Sequence, residues 1–272
     1  MQGSSATKFI ESNGTLFAYR TFGNQGGIPL VCLQHITGTM DNWDPIIINA
    51  LAKNRQVVVF DNTGVASTKG TTPDNIADMA TDAVNFMSAL NFKQVDLLAF
   101  SMGGFVGQQI LIDRPDLVRK IILVGTGPKG GTGIDKFRPY VMDALKRKGE
   151  EIFLYLFFTK SESSRKEGMN TLKRLSEWPE KDLGYSQETF LNQTKAIEDW
   201  GLMKGQDGYL KRITQPVLIV NGSDDAMMPT INSYEMCQQI PNAQLSIYPD
   251  AAHGSLYQYP ELFVEQATYF LK

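Results

Sequence analysis

The sequence predicts a doubly wound α/β fold, a mainly parallel sheet with helices on both faces, interrupted once by a helical insertion. Three observations predict it. Short, largely apolar runs of strand length (Pro29–Gln34, Val57–Phe60, Val95–Phe100, Lys120–Gly125 and Pro216–Val220) alternate with stretches of helical spacing. Strands apolar throughout belong to parallel sheets covered on both faces. Between Phe137 and about Leu210 the text turns helical and rich in large apolar side chains, with no convincing strand. Sheet text then returns, so the chain is expected to divide into a core of residues 1–126 and 214–272 with a helical cap of residues 127–213 inserted in it.

The elements follow in order. Lys8–Glu11 and Leu16–Thr21 flank Asn13-Gly14, a strong hairpin signal. Pro29–Gln34 is a buried strand, and the loop His35–Gly38 leads to helical spacing over Trp43–Lys53. Val57–Phe60 is the next strand, left through Asp61-Asn-Thr-Gly64. Thr72-Pro73 is expected to open a helix, with proline at its favoured first position, that runs to about Leu90. Val95–Phe100 and Lys120–Gly125 are strands on either side of a helix broken at Arg114-Pro115. Beyond the insertion come Pro216–Val220, a helix near Asn232–Gln239, the strand Gln244–Tyr248 and a last helix over Pro260–Leu271. The chain has no internal repeats.

Composition narrows the function classes. Across 272 residues, 42% hydrophobic and 20% charged is the balance of a soluble globular protein. A net charge of −3 gives no sign of nucleic-acid or anionic-membrane binding. No apolar run approaches membrane-spanning length, and Met1–Thr7 lacks a signal-peptide core. Of the two cysteines, Cys32 falls inside a strand, so a buried free thiol and a reducing cytoplasm are expected. Two cysteines and two scattered histidines make no persuasive zinc site, and neither a metal nor a cofactor is expected.

The chemistry gathers around Ala99-Phe-Ser101-Met-Gly103, where a strand becomes a helix within one residue. Such a turn holds its central residue at positive φ and requires small neighbours two positions either side. It lifts the hydroxyl clear of the sheet and aims the helix N-terminus beside it, the geometry of a nucleophile elbow. Alone, the pentapeptide fits equally a serine that caps the helix beginning at Met102. A serine nucleophile needs a base, and the chain offers His35, after an early strand, and His253, between the last strand and the last helix. In a doubly wound sheet both lie at the carboxyl ends of strands, where ligands bind. The acid that orients the base would come from Asp224 or Asp225, directly after Pro216–Val220 and its turn.

Taken together, these segments resemble the α/β-hydrolases along nearly the whole chain. The resemblance rests on the elbow at Ser101, the turn Gly222-x-x-Asp225-x-x-x-Pro229, and Ala252-His253-Gly254 followed by Tyr259-Pro260. Leu33–Trp43 resembles the family's oxyanion loop, and Asp61–Ser67 its next sheet-end loop. The resemblance implies Ser101 as nucleophile, His253 as base and Asp225 as acid, with Asp224 left as a turn residue. It implies the backbone N–H groups of Ile36 and Met102 as oxyanion donors. Where the family most often has His-Gly, this chain has Gln34-His35, which places a second histidine beside the site. His35, Phe100, Met227, Met228 and Leu256 are the expected lining residues.

Serine at the elbow argues against the dehalogenase and epoxide-hydrolase chemistries, which use aspartate there. The implied reaction is hydrolysis of small to medium, partly apolar carboxylic esters through an acyl-enzyme, with a small-molecule substrate as the partner. Lactone hydrolysis, carbon–carbon bond hydrolysis and peracid formation use the same three residues, and the chain also resembles the cofactor-free haloperoxidase-like esterases. A ligand receptor on the same scaffold, or a cofactor-independent oxygenase or lyase driven by His253 without Ser101, is the reading from another class.

Overall fold

The computed structural model describes residues 6–203 and 208–272. Most of the stretch expected to lack a leader, Met1–Thr7, therefore lies outside the described residues, as do residues 204–207 of the expected cap.

Among the described residues, eight strands form one sheet in the order β1-β2-β4-β3-β5-β6-β7-β8. The strands are β1 (Lys8–Ser12), β2 (Thr15–Phe22), β3 (Leu30–Leu33), β4 (Val57–Phe60), β5 (Val95–Phe100), β6 (Val118–Val124), β7 (Val217–Gly222) and β8 (Ala243–Tyr248). β2 runs antiparallel to both its neighbours, and β3 to β8 are parallel. The hairpin turn is made by Asn13 and Gly14, both at positive φ (50° and 80°), the conformation that matches the twist of the flanking strands. The order reverses between the central strands β3 and β5, so the loops leaving those two strands open a crevice at their carboxyl ends.

The central strands are mostly apolar because both faces are covered, and the one charge on β5, Asp96, is buried and paired with Arg55 and Arg119. Along β5, Leu97 and Ala99 enter the layer shared with α2 (Ile76–Ala89), α3 (Met102–Asp113) and α8 (Ile231–Gln239). Leu98 and Phe100 enter the opposite layer, shared with α1 (Pro45–Leu51) and α10 (Pro260–Phe270). α3 lies close on the sheet: a Cβ on Gly103 would overlap the Leu33 carbonyl oxygen.

Between β6 and β7 stand α4 (Phe137–Ala144), α5 (Glu150–Phe157), α6 (Glu162–Ser176) and α7 (Gln187–Leu202), with no strand among the described residues of that segment. They are packed into both core layers, α4 and α7 through Phe137, Ile197 and Trp200, and α5 through Leu154 and Phe157. Polar ties fasten them further. The Arg174 guanidinium donates to Asp44 at 2.8 Å, and the Trp178 indole N–H donates to the Trp43 carbonyl at 2.9 Å.

Three boundaries differ from the sequence expectation. Thr72-Pro73 does not open α2. Asn75 caps it, accepting the Asp78 N–H at 2.9 Å, while Thr72 is held in a loop by Thr189 and Asn192 of α7. Trp43 precedes α1 because Asp44, accepting the Ile46 N–H at 3.0 Å, is the cap and Pro45 the first helical residue. Before α10 there is an additional turn, α9 (Ser255–Gln258), broken at Tyr259 (φ −125°, ψ 56°) because a following proline disfavours helical backbone. No helix among the described residues is long and apolar enough to cross a membrane.

Candidate active site

Ser101 joins β5 to α3 at φ 57°, ψ −121°. A non-glycine residue persists there only when the surroundings over-determine it. Here its N–H donates to the Val124 carbonyl at 2.8 Å and its carbonyl accepts the Gly104 N–H at 2.8 Å. The side chain does not cap α3. It is buried, and its hydroxyl makes no hydrogen bond to any described residue, the imidazole of His253 included. A serine kept only for helix capping would show the opposite.

His253 lies on the loop after β8, buried, with Nδ1 2.8 Å from Oδ2 of Asp225. Asp225 follows β7, and its Oδ1 accepts the N–H groups of Met227 (2.9 Å) and Met228 (2.8 Å). With the carboxylate accepting, Nδ1 carries the hydrogen and Nε2 is left as a bare acceptor. Asp224 is exposed and takes a hydrogen bond from the neighbouring Ser223 hydroxyl. The two loops lie so close that a Cβ on Gly222 would overlap the Ala251 and Ala252 carbonyl oxygens.

The loop after β3 completes the arrangement. The Ile36 carbonyl accepts from His35 Nδ1 and from the Thr37 hydroxyl, each at 2.7 Å. Thr37, at φ 57°, gives its own N–H to Gln193 of α7 at 2.6 Å. Among the described residues no protein acceptor takes the N–H of Ile36 or of Met102. The His35 ring is pushed down to about 4, chiefly by burial, with the bond to the Ile36 carbonyl opposing and the nearby His253 adding slightly. It is neutral at physiological pH.

Ser101, His35 and His253 line one cavity of about 250 Å³ together with Ile36, Thr37 and Met227. Its other walls come from the helices between β6 and β7: Phe137 and Val141 of α4, Ile152, Phe153, Leu156 and Phe157 of α5, and Phe190 of α7. Among the described residues, no Lys, Arg, Asp or Glu contributes to the lining. Phe100, Met228 and Leu256, expected at the wall, are not part of it. Phe100 lies behind it, 5.4 Å edge-on to His35 and 5.1 Å from His253, covered by both rings. Met228 and Leu256 are sealed within the core, and Met228 serves through its backbone N–H. The sequence signals the α5 residues only as a group, Phe153, Leu156 and Phe157 being spaced as one helix face.

A larger groove, about 630 Å³, lies beside Arg55 and Arg119. Those guanidiniums are already spent on the buried Asp96 carboxylate and the Leu271 carbonyl. Among the described residues no group of three His, Cys, Asp or Glu could hold a metal ion.

Comparison with known proteins agrees with this architecture. The family model of the alpha/beta hydrolase fold matches residues 28–260. An alpha/beta hydrolase fold protein from Chitinophaga pinensis is 48% identical, with a TM-score of 0.97 over 99% of this chain and 98% of that one. RutD of Rhizobium rhizogenes, which carries the name of a carbamate hydrolase, is 25% identical over 86% of this chain and 89% of its own length. An enol-lactonase from Burkholderia xenovorans superposes with a TM-score of 0.78 at 21% identity, over 97% of this chain and 99% of that one, a likeness of fold alone. The chain belongs to the alpha/beta hydrolase fold family and is an enzyme of hydrolase type.

Proposed function

We propose that the chain is a serine esterase acting on small to medium, uncharged, partly apolar carboxylic esters through an acyl-enzyme. The observation that carries this reading is the 2.8 Å contact between Asp225 and His253 at the wall of the cavity that also holds the unpartnered Ser101 hydroxyl. In the reaction, His253 Nε2 takes the hydroxyl proton as Ser101 Oγ bonds to the carbonyl carbon, and Asp225 stabilises the imidazolium. The N–H groups of Ile36 and Met102 receive the oxyanion, which exists only in the tetrahedral species, so their strength lowers the barrier rather than tightening substrate binding. His253 returns the proton to the departing alkoxide oxygen as the carbon–oxygen bond breaks. Water, deprotonated by the same imidazole, then releases the acid.

The absence of charged side chains from the lining supports neutral substrates, since a desolvated carboxylate or ammonium would find no partner there. A cyclic ester satisfies the same geometry, so lactones belong in the first screen. The test is hydrolysis of p-nitrophenyl esters of rising acyl length, run beside lactones, with Ser101→Ala and His253→Ala. Each substitution is expected to cut turnover by at least about 10³-fold. Activity surviving in Ser101→Ala but lost in His253→Ala would point instead to base chemistry without a covalent serine.

A further inference from the structure

Five polar residues line the cavity: His35, Thr37, Ser101, Tyr185 and His253. Ser101 and His253 belong to acyl transfer as proposed above. The Thr37 hydroxyl has given its hydrogen to the Ile36 carbonyl, which leaves its oxygen only a weaker, neutral-hydroxyl acceptor, and Tyr185 is half exposed. That leaves His35. Its Nδ1 faces the Ile36 carbonyl at 2.7 Å, and a carbonyl can only accept, so Nδ1 carries the hydrogen and Nε2 bears a lone pair. No described residue donates to Nε2, and the atom is not among those sealed without a partner. Burial keeps the ring uncharged. His35 thus presents a fixed acceptor among lining residues that, apart from Thr37, Ser101, Tyr185 and His253, are mostly Phe, Val, Ile, Leu and Met.

The position of this acceptor says what it meets. His35 immediately precedes Ile36, whose N–H is the proposed oxyanion donor, and its ring and that of His253 both pack against Phe100 and Phe157. A group it touches must be borne close to the reacting carbonyl. An ammonium there would be desolvated with no carboxylate to balance it. A hydroxyl donates one hydrogen without charge.

We propose that His35 is a specificity-determining residue that accepts a hydrogen bond from a hydroxyl on the carbon next to the reacting carbonyl, making esters of 2-hydroxy acids the preferred substrates. The proposal rests on the esterase reading. An acyl group without that hydroxyl leaves the acceptor dry, and sites built to bond a hydroxyl discriminate against analogues that lack it.

The test is the ratio of kcat/KM for ethyl 2-hydroxybutanoate over ethyl butanoate, compared between the parent and His35→Asn. An Asn amide N–H can replace Nδ1–H toward the Ile36 carbonyl but puts no atom where Nε2 stands. A 2-hydroxy ester is intrinsically more reactive, so the change in the ratio is the readout. It is expected to fall about tenfold in His35→Asn. His35→Gln, whose amide oxygen reaches the Nε2 position, is expected to keep most of it. An unchanged ratio in His35→Asn, or an equal loss in both variants, overturns the proposal. Calorimetry with 2-hydroxybutanamide and butanamide reads the same preference without turnover. Hydroxyamide-selective binding that needs His35, in a protein that cleaves no ester, would sink the esterase reading and sustain the recognition. Equal binding of the two amides by the parent would sink the recognition alone.

Discussion

The carboxylate of Asp250 accepts the hydroxyl of Ser161 at 2.6 Å, across 89 positions of sequence. Asp250, at φ 49°, stands three residues before His253 on the same loop, and Thr159 and Ser163 donate to it as well, at 2.7 and 3.0 Å. The Gly254 N–H donates to the Phe157 carbonyl at 2.8 Å from the other side of the histidine. The junction of α5 and α6 therefore clamps the loop that carries His253, and it does so next to the α5 residues that wall the cavity.

The clamp predicts that Asp250→Asn, which keeps the left-handed backbone but removes the charge, lowers the melting midpoint by about 2–6 °C. It should also reduce kcat more than it raises KM. Ser161→Ala should show the same pattern, and the double variant should lose less than the sum, because the two residues share one contact. Additive losses by thermal melts and steady-state kinetics would show that the clamp does not act as a unit.

A second cluster predicts a pH dependence of stability. Arg20 donates to Asp41 at 2.7 Å and reaches Asp182 at 3.5 Å, while the other oxygen of Asp182 has no partner. Asp182 is pushed up to about 6, first by burial and then by the charge of Asp41. The buried Asp61 is pushed up to about 7, again first by burial and then by Asp182. Between about pH 4 and pH 6 both native carboxyls hold protons that the unfolded chain, with an ordinary value of 3.8, has already released. Their contribution is therefore most favourable at acidic pH and declines as pH rises from about 4 to about 7. Asp182→Asn should raise the melting midpoint at pH 8 by more than at pH 5, and an equal change at both would contradict this assignment.

Close packing at the elbow predicts a third result. Gly103→Ala must displace the Leu33 carbonyl, which is strand backbone with no room to yield. A loss of at least about 1–3 kcal/mol is expected in urea unfolding, the cost of overpacking a tight interior. A neutral effect would mean that α3 can lift from the sheet.

Much of this molecule is legible in its sequence, for local reasons. The strands declare themselves because β3, β4, β5 and β7 are buried along their whole length and so, Asp96 and Asn221 apart, are apolar without alternation. The turn at Ser101 needs small residues two positions either side, which fixes the text around it. What could not be read depends on distant neighbours. Asn75 rather than Pro73 starts α2 because α7 holds Thr72 in the loop. Phe100, Met228 and Leu256 sit near the site in sequence but are covered in space, whereas the walls come from α4, α5 and α7. The tautomer of His35 is set by a carbonyl one residue away, a contact that no spacing rule encodes. The clamp at Asp250 joins residues whose proximity exists only once the inserted helices dock.

The most direct measurement is the intact mass of the protein quenched during turnover of a slow p-nitrophenyl ester, followed by peptide mapping. One acyl group per chain should accumulate on the peptide containing Ser101, with a matching burst of p-nitrophenol, and His253→Ala should abolish both. A label on any other residue, or steady hydrolysis by Ser101→Ala at the parent's rate, would contradict the assignment of Ser101 as nucleophile.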